Sequence, residues 1–243
     1  MSQTVNVHFL PRLVSPQTTA GNPIIVIDVL RATTTIVYAM AAGAQKIVPC
    51  LEVQEARQLA RQHGPATLLG GERKGLPIDG FDLSNSPGEY TADRVSGRTI
   101  VFTTTNGTKA MMACVGASRV LIGAFSNLSA ITRSLATEPT VDVICAGTDE
   151  RVTREDVLMA GALIARIAQT AATPMLNDQA QLAWDAWRGI PSSDNLVKVL
   201  RQSQGGRNLA RINHESDINI AAEIDTLDVV PFLDLTDWTI RLP

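Results

Sequence analysis

The densest group of chemically useful side chains in this 243-residue chain lies between Leu68 and Tyr90. Residues 70–90 read GGERKGLPIDGFDLSNSPGEY, and their charged and amide side chains are Glu72, Arg73, Lys74, Asp79, Asp82, Asn85 and Glu89. Acidic groups can bind a divalent cation, arginine and lysine can bind an anion, and glycine lets backbone amides approach a ligand. Connections in α/β domains usually take about two to six residues. The stretch therefore indicates a metal and phosphate site, with a solvated surface loop as the alternative.

A second polar group follows the apolar run at residues 24–28. Asp28 ends that predicted strand, Arg31 lies in the turn, and three threonines at 33–35 open the next predicted helix. Helix N-termini present free amides and partial positive charge, so an anion can bind there. A helix cap with an Asp28–Arg31 ion pair explains the same residues without a ligand.

A third polar group, TTTNGTK at 103–109, also lies where a predicted strand gives way to a helix. We interpret it as an oxyanion-binding loop, with Lys109 as a counter-charge. The residues of this loop that we expect to bind the anion are Thr105, Asn106, Gly107 and Thr108. The Asn-Gly pair also favours a hairpin turn, but the helical pattern that follows argues against one. The loop lacks GxxxxGK[ST], so it is not a Walker loop.

A fourth group, CAGTD at 145–149, follows another predicted strand. Gly147 and Thr148 are small enough to allow a ligand close to the backbone. Glu155 and Asp156, near the start of the next predicted helix, can reach the same pocket. These residues therefore join the predicted site.

Strand-like and helix-like runs alternate along most of the chain, which predicts parallel strands covered by helices on both faces. The predicted strands are 24–28, 46–50, 67–70, 99–103, 119–122 and 141–145. The predicted helices are 34–43, 52–63, 106–115, 127–137 and 154–171, the last preceded by a Thr153–Asp156 capping box. Residues 177–222 are helical but less regular, and TLDVVPFL at 226–233 predicts a final extended segment.

These elements predict a three-layer α/β/α fold with a mostly parallel or mixed central sheet. We expect one domain over residues 1–243, with two tightly packed lobes as the alternative. In open parallel sheets, ligands bind beyond the carboxyl ends of the strands. All four polar groups follow predicted strands, so we expect them to meet at the same rim.

The bulk composition narrows the function classes. The net charge of −3, the isoelectric point near 5.6 and the 4% aromatic content argue against nucleic acid as a partner. Cys50, Cys114 and Cys145 lie among aliphatic residues without a CxxC pair, which predicts buried thiols rather than a zinc site or disulfides. Cys145 follows a strand, but no histidine in the polar groups can activate it, so it is predicted to be core. With no signal peptide and no membrane segment of about 20 apolar residues, we expect a cytoplasmic protein without a membrane partner. The alanines of the long helix can pack against either the sheet or another subunit, and we expect a homodimer.

The polar groups together resemble the 2-phosphosulfolactate phosphatase family. The matching segments are VIDVLRATTT (26–35), GGERKGLPIDGFDLSNSP (70–87), TTTNGTKA (103–110), CAGTDERVTREDVLMAG (145–161) and GGRNLARINHESDINIAAEIDTLDVVP (205–231). One short motif would be weak, but five in order over nearly the whole chain are specific.

The resemblance implies hydrolysis of (2R)-2-phospho-3-sulfolactate, a small anionic phosphorylated substrate, to (2R)-3-sulfolactate and phosphate in coenzyme M biosynthesis, with Mg²⁺ as cofactor. We expect Asp28, Glu72 and Asp82 to bind Mg²⁺. Arg31 and Arg73 are expected to contact the substrate because a guanidinium can hold two oxyanion oxygens. The other predicted substrate- and phosphate-binding residues are Thr33, Thr34, Asn85, Ser86, Thr105, Asn106, Gly107, Thr108, Gly147, Thr148 and Arg207.

Three points stay open at this stage. The nucleophile is either water, with Asp28 or Glu72 as base, or Asp28 itself. The substrate is alternatively another phosphorylated 2-hydroxy acid, and the protein is alternatively a non-catalytic anion-binding protein of the same fold. A dinucleotide-binding enzyme lacks support because no GxGxxG follows the first predicted strand.

Overall fold

The computed structural model describes residues 3–170, 173–190 and 195–243. Its strands are β1 (Thr4–His8), β2 (Pro23–Ile27), β3 (Lys46–Cys50), β4 (Leu68–Gly71), β5 (Thr99–Thr103), β6 (Arg119–Gly123), β7 (Thr140–Cys145), β8 (Met175–Leu176), β9 (Phe232–Asp234) and β10 (Thr239–Arg241). Its α-helices are α1 (Pro16–Thr19), α2 (Ala32–Ala41), α3 (Val53–His63), α4 (Ala92–Val95), α5 (Asn106–Met112), α6 (Leu128–Ser134), α7 (Arg154–Thr170), α8 (Asp178–Arg188), α9 (Leu196–Arg201), α10 (Gln204–Arg211) and α11 (Ser216–Ala221).

The strands form one ten-stranded mixed sheet in the order β4-β5-β3-β10-β9-β6-β2-β7-β1-β8. One parallel half contains β6, β2, β7, β1 and β8, and the other contains β3, β5 and β4. Between the halves, β6 pairs with β9, β9 with β10 and β10 with β3, each time antiparallel. Three successive reversals leave the two parallel halves running in opposite directions.

Both faces of the sheet are covered by helices, as the continuous apolar runs of the strands require. Successive residues of β2 enter different cores. Ile25 packs in a cluster with Leu163 of α7, whereas Val26 packs in another with Ile36 of α2. A smaller cluster joins Val48 of β3 to Ala56 of α3. The three-layer α/β/α prediction is therefore confirmed.

The strands and helices predicted within residues 24–170 are present to within a few residues at each end. Residue 171, the predicted end of the long helix, lies outside the described residues. Strands β1, β8 and β10 were not predicted, because β8 and β10 have only two and three residues and β1 (TVNVH) is not a continuous apolar run. No helix of the described ranges is long and apolar enough to cross a membrane. The single-domain, homodimer and cytoplasmic expectations stay predictions.

Candidate active site

One cavity of about 800 Å³ lies where the two parallel halves of the sheet meet. It is lined by eight of the residues predicted from sequence: Asp28, Arg31, Glu72, Arg73, Asn85, Thr105, Asn106 and Thr148. The halves run in opposite directions, so their strand ends would lie at opposite edges of a flat sheet. They meet because the loops after β2, β4, β5 and β7 all turn into this cavity.

Asp28 comes directly after β2 and is 7% exposed. Burial raises the pKa of its carboxyl group to about 7, and the negative charge of Glu72 adds to this effect. Glu155 raises this pKa further, while the backbone N–H of Ala32 and the charge of Arg31 lower it. Asp28 and Glu72 are thus close enough to interact electrostatically.

Glu72 is positioned by the close approach of β4 to β5. Gly71 has φ +133°, and a side chain there would come within 2.0 Å of the Thr103 carbonyl oxygen, so only glycine fits. The Glu72 carboxylate then accepts two backbone N–H groups, from Gly75 at 2.7 Å and from Thr105 at 3.3 Å. These bonds fix both carboxylate oxygens.

Arg31 is buried and held on the protein side by several acceptors. Its guanidinium donates to Asp217 Oδ2 at 2.7 Å and to the Gly75 carbonyl at 2.7 Å, and lies 3.3 Å from His214 Nδ1. Ser86 donates to the other oxygen of Asp217 at 2.5 Å. Ser86 therefore supports the arginine through Asp217 and does not itself line the cavity.

Arg73 lines the cavity but is also bound to neighbouring oxygen atoms. It donates to the Glu72 carbonyl at 2.6 Å, to Thr103 Oγ1 at 2.8 Å and to the Leu51 carbonyl. These bonds fix its guanidinium beside Glu72. No carboxylate among the described residues forms an ion pair with it.

The hydroxyl groups of the threonines after β2 bind the backbone of the same turn. The Thr33 hydroxyl accepts the Asp28 N–H at 2.9 Å and donates to the Asp28 carbonyl at 3.0 Å. The Thr34 hydroxyl donates to the Val29 carbonyl at 2.8 Å. Neither threonine lines the cavity, so the structure does not bring these two predicted phosphate ligands to it.

The loop after β5 is divided between the cavity and the core. Thr105 and Asn106 line the cavity, whereas Thr108 is buried and donates to the Cys50 carbonyl at 3.2 Å. Gly107 also lies outside the lining, but it allows α5 to pack on the other half of the sheet. A Cβ atom there would lie 2.6 Å from Ala32 Cβ and 3.0 Å from Asp28 Oδ2.

Behind the cavity, Asp156 ties two loops together. Its carboxylate accepts the N–H groups of Val29 and Gly147, each at 2.9 Å. Burial raises its pKa well above the ordinary value, and the charges of Asp28 and Glu155 add to the effect. Asp156 also accepts the Thr153 hydroxyl at 3.2 Å, so it joins separate loops rather than completing the predicted capping box. Gly147 thus shapes the loop, and Thr148 reaches the cavity.

Glu155 ends beside Gly205, another lining residue, whose N–H donates to Glu155 Oε1 at 2.9 Å. Cys145 lies nearby in the core. Burial raises the pKa of its thiol well above the ordinary value, with Asp156 and Glu155 contributing. This agrees with the prediction of a core thiol, and all three cysteines are free and buried.

Two predicted residues point elsewhere. Asp82 is exposed and accepts the Leu69 N–H at 2.8 Å, and Arg207 is exposed and donates to Gln204 Oε1 at 3.0 Å within its own helix. Neither lines the cavity. Arg211, one turn after Arg207, lines it instead.

The sequence reasoning missed Asn208 and Arg211 of α10. A helical period through residues 205–212 could have found them. Gly205, Asn208, Leu209 and Ile212 have the i, i+3, i+4, i+7 spacing of one helix face, and all four line the cavity. Arg211 lies at the flank of this face, within reach of a long side chain.

The cavity offers few carboxylates as ligands for a metal ion. In the described parts of the chain, no group of three or more His, Cys, Asp or Glu side chains is arranged to hold a metal ion. The predicted trio of Asp28, Glu72 and Asp82 is not assembled, because Asp82 is bound to the β4 backbone. Asp28, Glu72 and Asp149 are the carboxylates that line the cavity, and of these Asp28 and Glu72 are buried whereas Asp149 is exposed.

An α/β protein whose strand ends bring two buried carboxylates and several cations to one cavity has the features of an enzyme acting on small anions. A sequence model of 2-phosphosulpholactate phosphatase matches residues 8–235. The chain belongs to the 2-phosphosulfolactate phosphatase family, whose members are phosphoric monoester hydrolases. This confirms the resemblance noted from the motifs.

Individual relatives are similar over most of their length. A probable 2-phosphosulfolactate phosphatase of Symbiobacterium thermophilum is 43% identical over 214 residues, which cover 87% of this chain and 91% of that protein. A protein of the same description from Deinococcus radiodurans is 40% identical, with 86% of each chain covered. Another, from Caldanaerobacter subterraneus, is 37% identical, covering 86% of this chain and 87% of its own.

Proposed function

We propose that this protein is a Mg²⁺-dependent phosphatase that converts (2R)-2-phospho-3-sulfolactate to (2R)-3-sulfolactate and phosphate in coenzyme M biosynthesis. Family membership supports the reaction class. The observation that carries the proposal is the meeting of Asp28 and Glu72, from opposite halves of the sheet, in one cavity with arginine and lysine side chains.

The donor set fits magnesium. Mg²⁺ prefers oxygen ligands and commonly takes one or two carboxylates together with waters and a substrate phosphate, so a third acidic residue is not required. Asp28 and Glu72 would hold the ion. Asn85 Oδ1 in the cavity and Glu155 Oε2 behind it are buried oxygen atoms without a hydrogen-bond partner in the described residues. When bound, the ion neutralises charge on the phosphoryl oxygens.

Arg31 and Arg73 bind the phosphoryl group in this proposal. Both line the cavity beside the carboxylates, and both are fixed by bonds to protein oxygen atoms. Fixed cations stabilise the developing charge of phosphoryl transfer without having to reorganise. The Thr105–Asn106 segment supplies further polar groups beside Glu72.

Asp28 orients the attacking water and takes its proton at a carboxylate oxygen. Glu72 is less suited to this role, because its two oxygens already accept the Gly75 and Thr105 amides. The water oxygen bonds to phosphorus and the bond from phosphorus to the ester oxygen breaks. That oxygen takes a proton from solvent water to become the hydroxyl of 3-sulfolactate, and Asp28 returns its proton to solvent. The fixed guanidiniums of Arg31 and Arg73 keep the phosphoryl group in line.

Phosphate release from (2R)-2-phospho-3-sulfolactate tests the proposal. We expect Asp28→Asn to lower kcat by about 1,000-fold, within the usual range for a lost general base. Asp82→Asn is the matched control, because Asp82 belongs to the same predicted metal set but lies outside the cavity. Near-normal turnover by Asp28→Asn would remove Asp28 from the centre of the scheme. Activity that survives a chelator would remove magnesium.

A further inference from the structure

Two cations that line the cavity have no partner in the described chain. The side chains of Lys74 and Arg211 form neither an ion pair nor a hydrogen bond there, and both residues are exposed. Arg31 differs, because Asp217 neutralises it at 2.7 Å. Arg73 differs too, because neighbouring oxygen atoms bind it. Lys74 and Arg211 are therefore free to bind a group from outside.

Lys74 is held toward the cavity by a tight turn. Arg73 and Leu76 exchange two backbone hydrogen bonds of 3.0 Å, and Lys74 and Gly75 between them have φ +54° and +80°. Two central residues with positive φ are the signature of a type I′ turn, in which Asn or Gly usually occupies the lysine position. A lysine in the left-handed region is uncommon, and such strain is often found at functional sites.

The turn is anchored to the residues of the reacting centre. The Gly75 N–H donates to Glu72 at 2.7 Å, and its carbonyl accepts from Arg31 at 2.7 Å. On its other side the turn reaches the end of α10, where a Cβ atom on Gly75 would lie 3.1 Å from Ile212 Cδ1. Lys74 and Arg211 are the chain neighbours of these two touching residues. They belong to one edge of the cavity.

We infer that Lys74 and Arg211 form a second anion subsite, which receives the sulfonate group of the substrate; this inference rests on the proposed function. A sulfonate stays ionised at every physiological pH, so it needs cations or N–H donors rather than a proton. An ammonium and a guanidinium together offer a point charge and a planar pair of donors to its three oxygens.

The layout of the substrate favours sulfonate over carboxylate at this subsite. The carboxylate is attached to the carbon that carries the phosphate ester, whereas the sulfonate is attached to the next carbon. The buried Arg31 lies beside the carboxylates, and the exposed Lys74 and Arg211 lie farther out. The anion more distant from phosphorus therefore meets the outer pair.

Substrate selectivity tests the subsite. The kcat/KM of (2R)-2-phospho-3-sulfolactate is divided by that of 2-phospholactate, which keeps the phosphate and carboxylate but lacks the sulfonate. We expect Arg211→Gln and Lys74→Asn each to lower this ratio by about tenfold, as expected for a lost charged hydrogen bond. Asparagine is chosen at position 74 because it tolerates the left-handed backbone. Arg207→Gln is the matched control, since it removes the same charge from α10 outside the cavity, and its ratio should equal that of the unaltered protein.

Each outcome decides the assignment. An unchanged ratio in both variants, or an equal loss with both substrates, would show that the pair does not read the sulfonate. Calorimetric binding of 3-sulfolactate separates this inference from the proposed function. If the unaltered protein releases no phosphate but binds 3-sulfolactate, and Arg211→Gln weakens that binding about tenfold, the subsite stands and the phosphatase proposal fails. No binding of 3-sulfolactate by the unaltered protein overturns the subsite.

Discussion

The two buried carboxylates of the cavity, Asp28 and Glu72, have surroundings of opposite character. Around Asp28 the chain bonds to itself, because the hydroxyls of Thr33 and Thr34 return to the backbone of the same turn. Glu72 instead precedes an exposed turn, and the next two residues, Arg73 and Lys74, line the cavity. We call residues 28–34 the closed junction and residues 72–76 the open turn. The closed junction suits a group that must not move during chemistry, whereas the open turn suits recognition of a substrate.

A buried polar cluster joins these two regions. Arg31, from the closed junction, donates to the Gly75 carbonyl of the open turn and to Asp217 of α11. Asp217 also accepts the Ser86 hydroxyl, so α11 is connected to the second half of the 70–90 segment. Removing Asp217 is therefore the most direct way to uncouple the two regions.

Asp217→Asn should produce the largest effect on stability. Arg31 and Asp217 have side chains that are 2% and 1% exposed, so loss of the carboxylate leaves a buried cation without its counter-charge. Breaking a buried ion pair in this way typically costs about 3 kcal/mol or more. We expect a fall of about 3 kcal/mol in the free energy of unfolding, measured by urea denaturation, together with reduced phosphatase activity.

Asp228→Asn provides the comparison for Asp217→Asn. Its ion pair with Arg133 is open to solvent, with side chains 83% and 63% exposed. Such surface pairs contribute about 0–1 kcal/mol. Equal losses in the two variants would mean that the buried cluster does not couple the two regions.

Gly107→Ala should act at the contact between the halves of the sheet. The added Cβ would lie 2.6 Å from Ala32 Cβ and 3.0 Å from Asp28 Oδ2, in a region already closed by its own bonds. Overpacking of this kind costs about 1–3 kcal/mol. Because Asp28 must also shift, we expect kcat to fall by about 100-fold. Urea denaturation and phosphate release measure the two effects.

Gly189→Ala is the control for this substitution. Gly189 has φ −73°, and its nearest neighbour to an added Cβ is the Ala186 carbonyl oxygen at 3.4 Å. This variant should keep both stability and activity. If Gly107→Ala also keeps its stability and activity, the closed junction tolerates movement and does not differ from the open turn in this respect.

The sequence predicted the scaffold better than the directions of individual side chains. Strands such as β2 and β5 are continuous apolar runs, and their pattern alone indicates a buried parallel sheet. The positions of Asp28 and Glu72 at strand ends followed from the same pattern. The reversed direction of the two halves did not follow, because the extended segment predicted at 226–233 does not fix the direction of β9, and β10 has only three residues and was not predicted.

Side-chain direction depended on local bonds that spacing does not encode. Thr33 and Thr34 were expected to bind phosphate, but a hydroxyl in a tight turn finds a backbone partner within five residues. Asp82 was expected at the metal, but it bonds to the β4 backbone. Arg207 and Arg211 have the same chemistry, and only the rotation of α10 distinguishes them.

Lys74→Gly should have the smallest effect on stability and the opposite sign. A non-glycine residue in the left-handed region costs roughly 1–2 kcal/mol, and glycine loses about 0.5–1 kcal/mol through its greater freedom in the unfolded chain. The net result should be a gain of about 0.5–1 kcal/mol in the free energy of unfolding. The same variant should lose kcat/KM on (2R)-2-phospho-3-sulfolactate, because the turn no longer presents a charge.

Glu150→Gly makes this prediction specific. Glu150 also has a left-handed backbone, with φ +59°, but it does not line the cavity. It should gain similar stability and keep full activity. A stability gain in both variants, with activity lost only at position 74, would mean that the open turn retains its strain for recognition of the substrate. Full activity in Lys74→Gly would show instead that the left-handed lysine has no part in binding, and that the two carboxylate regions differ in exposure alone.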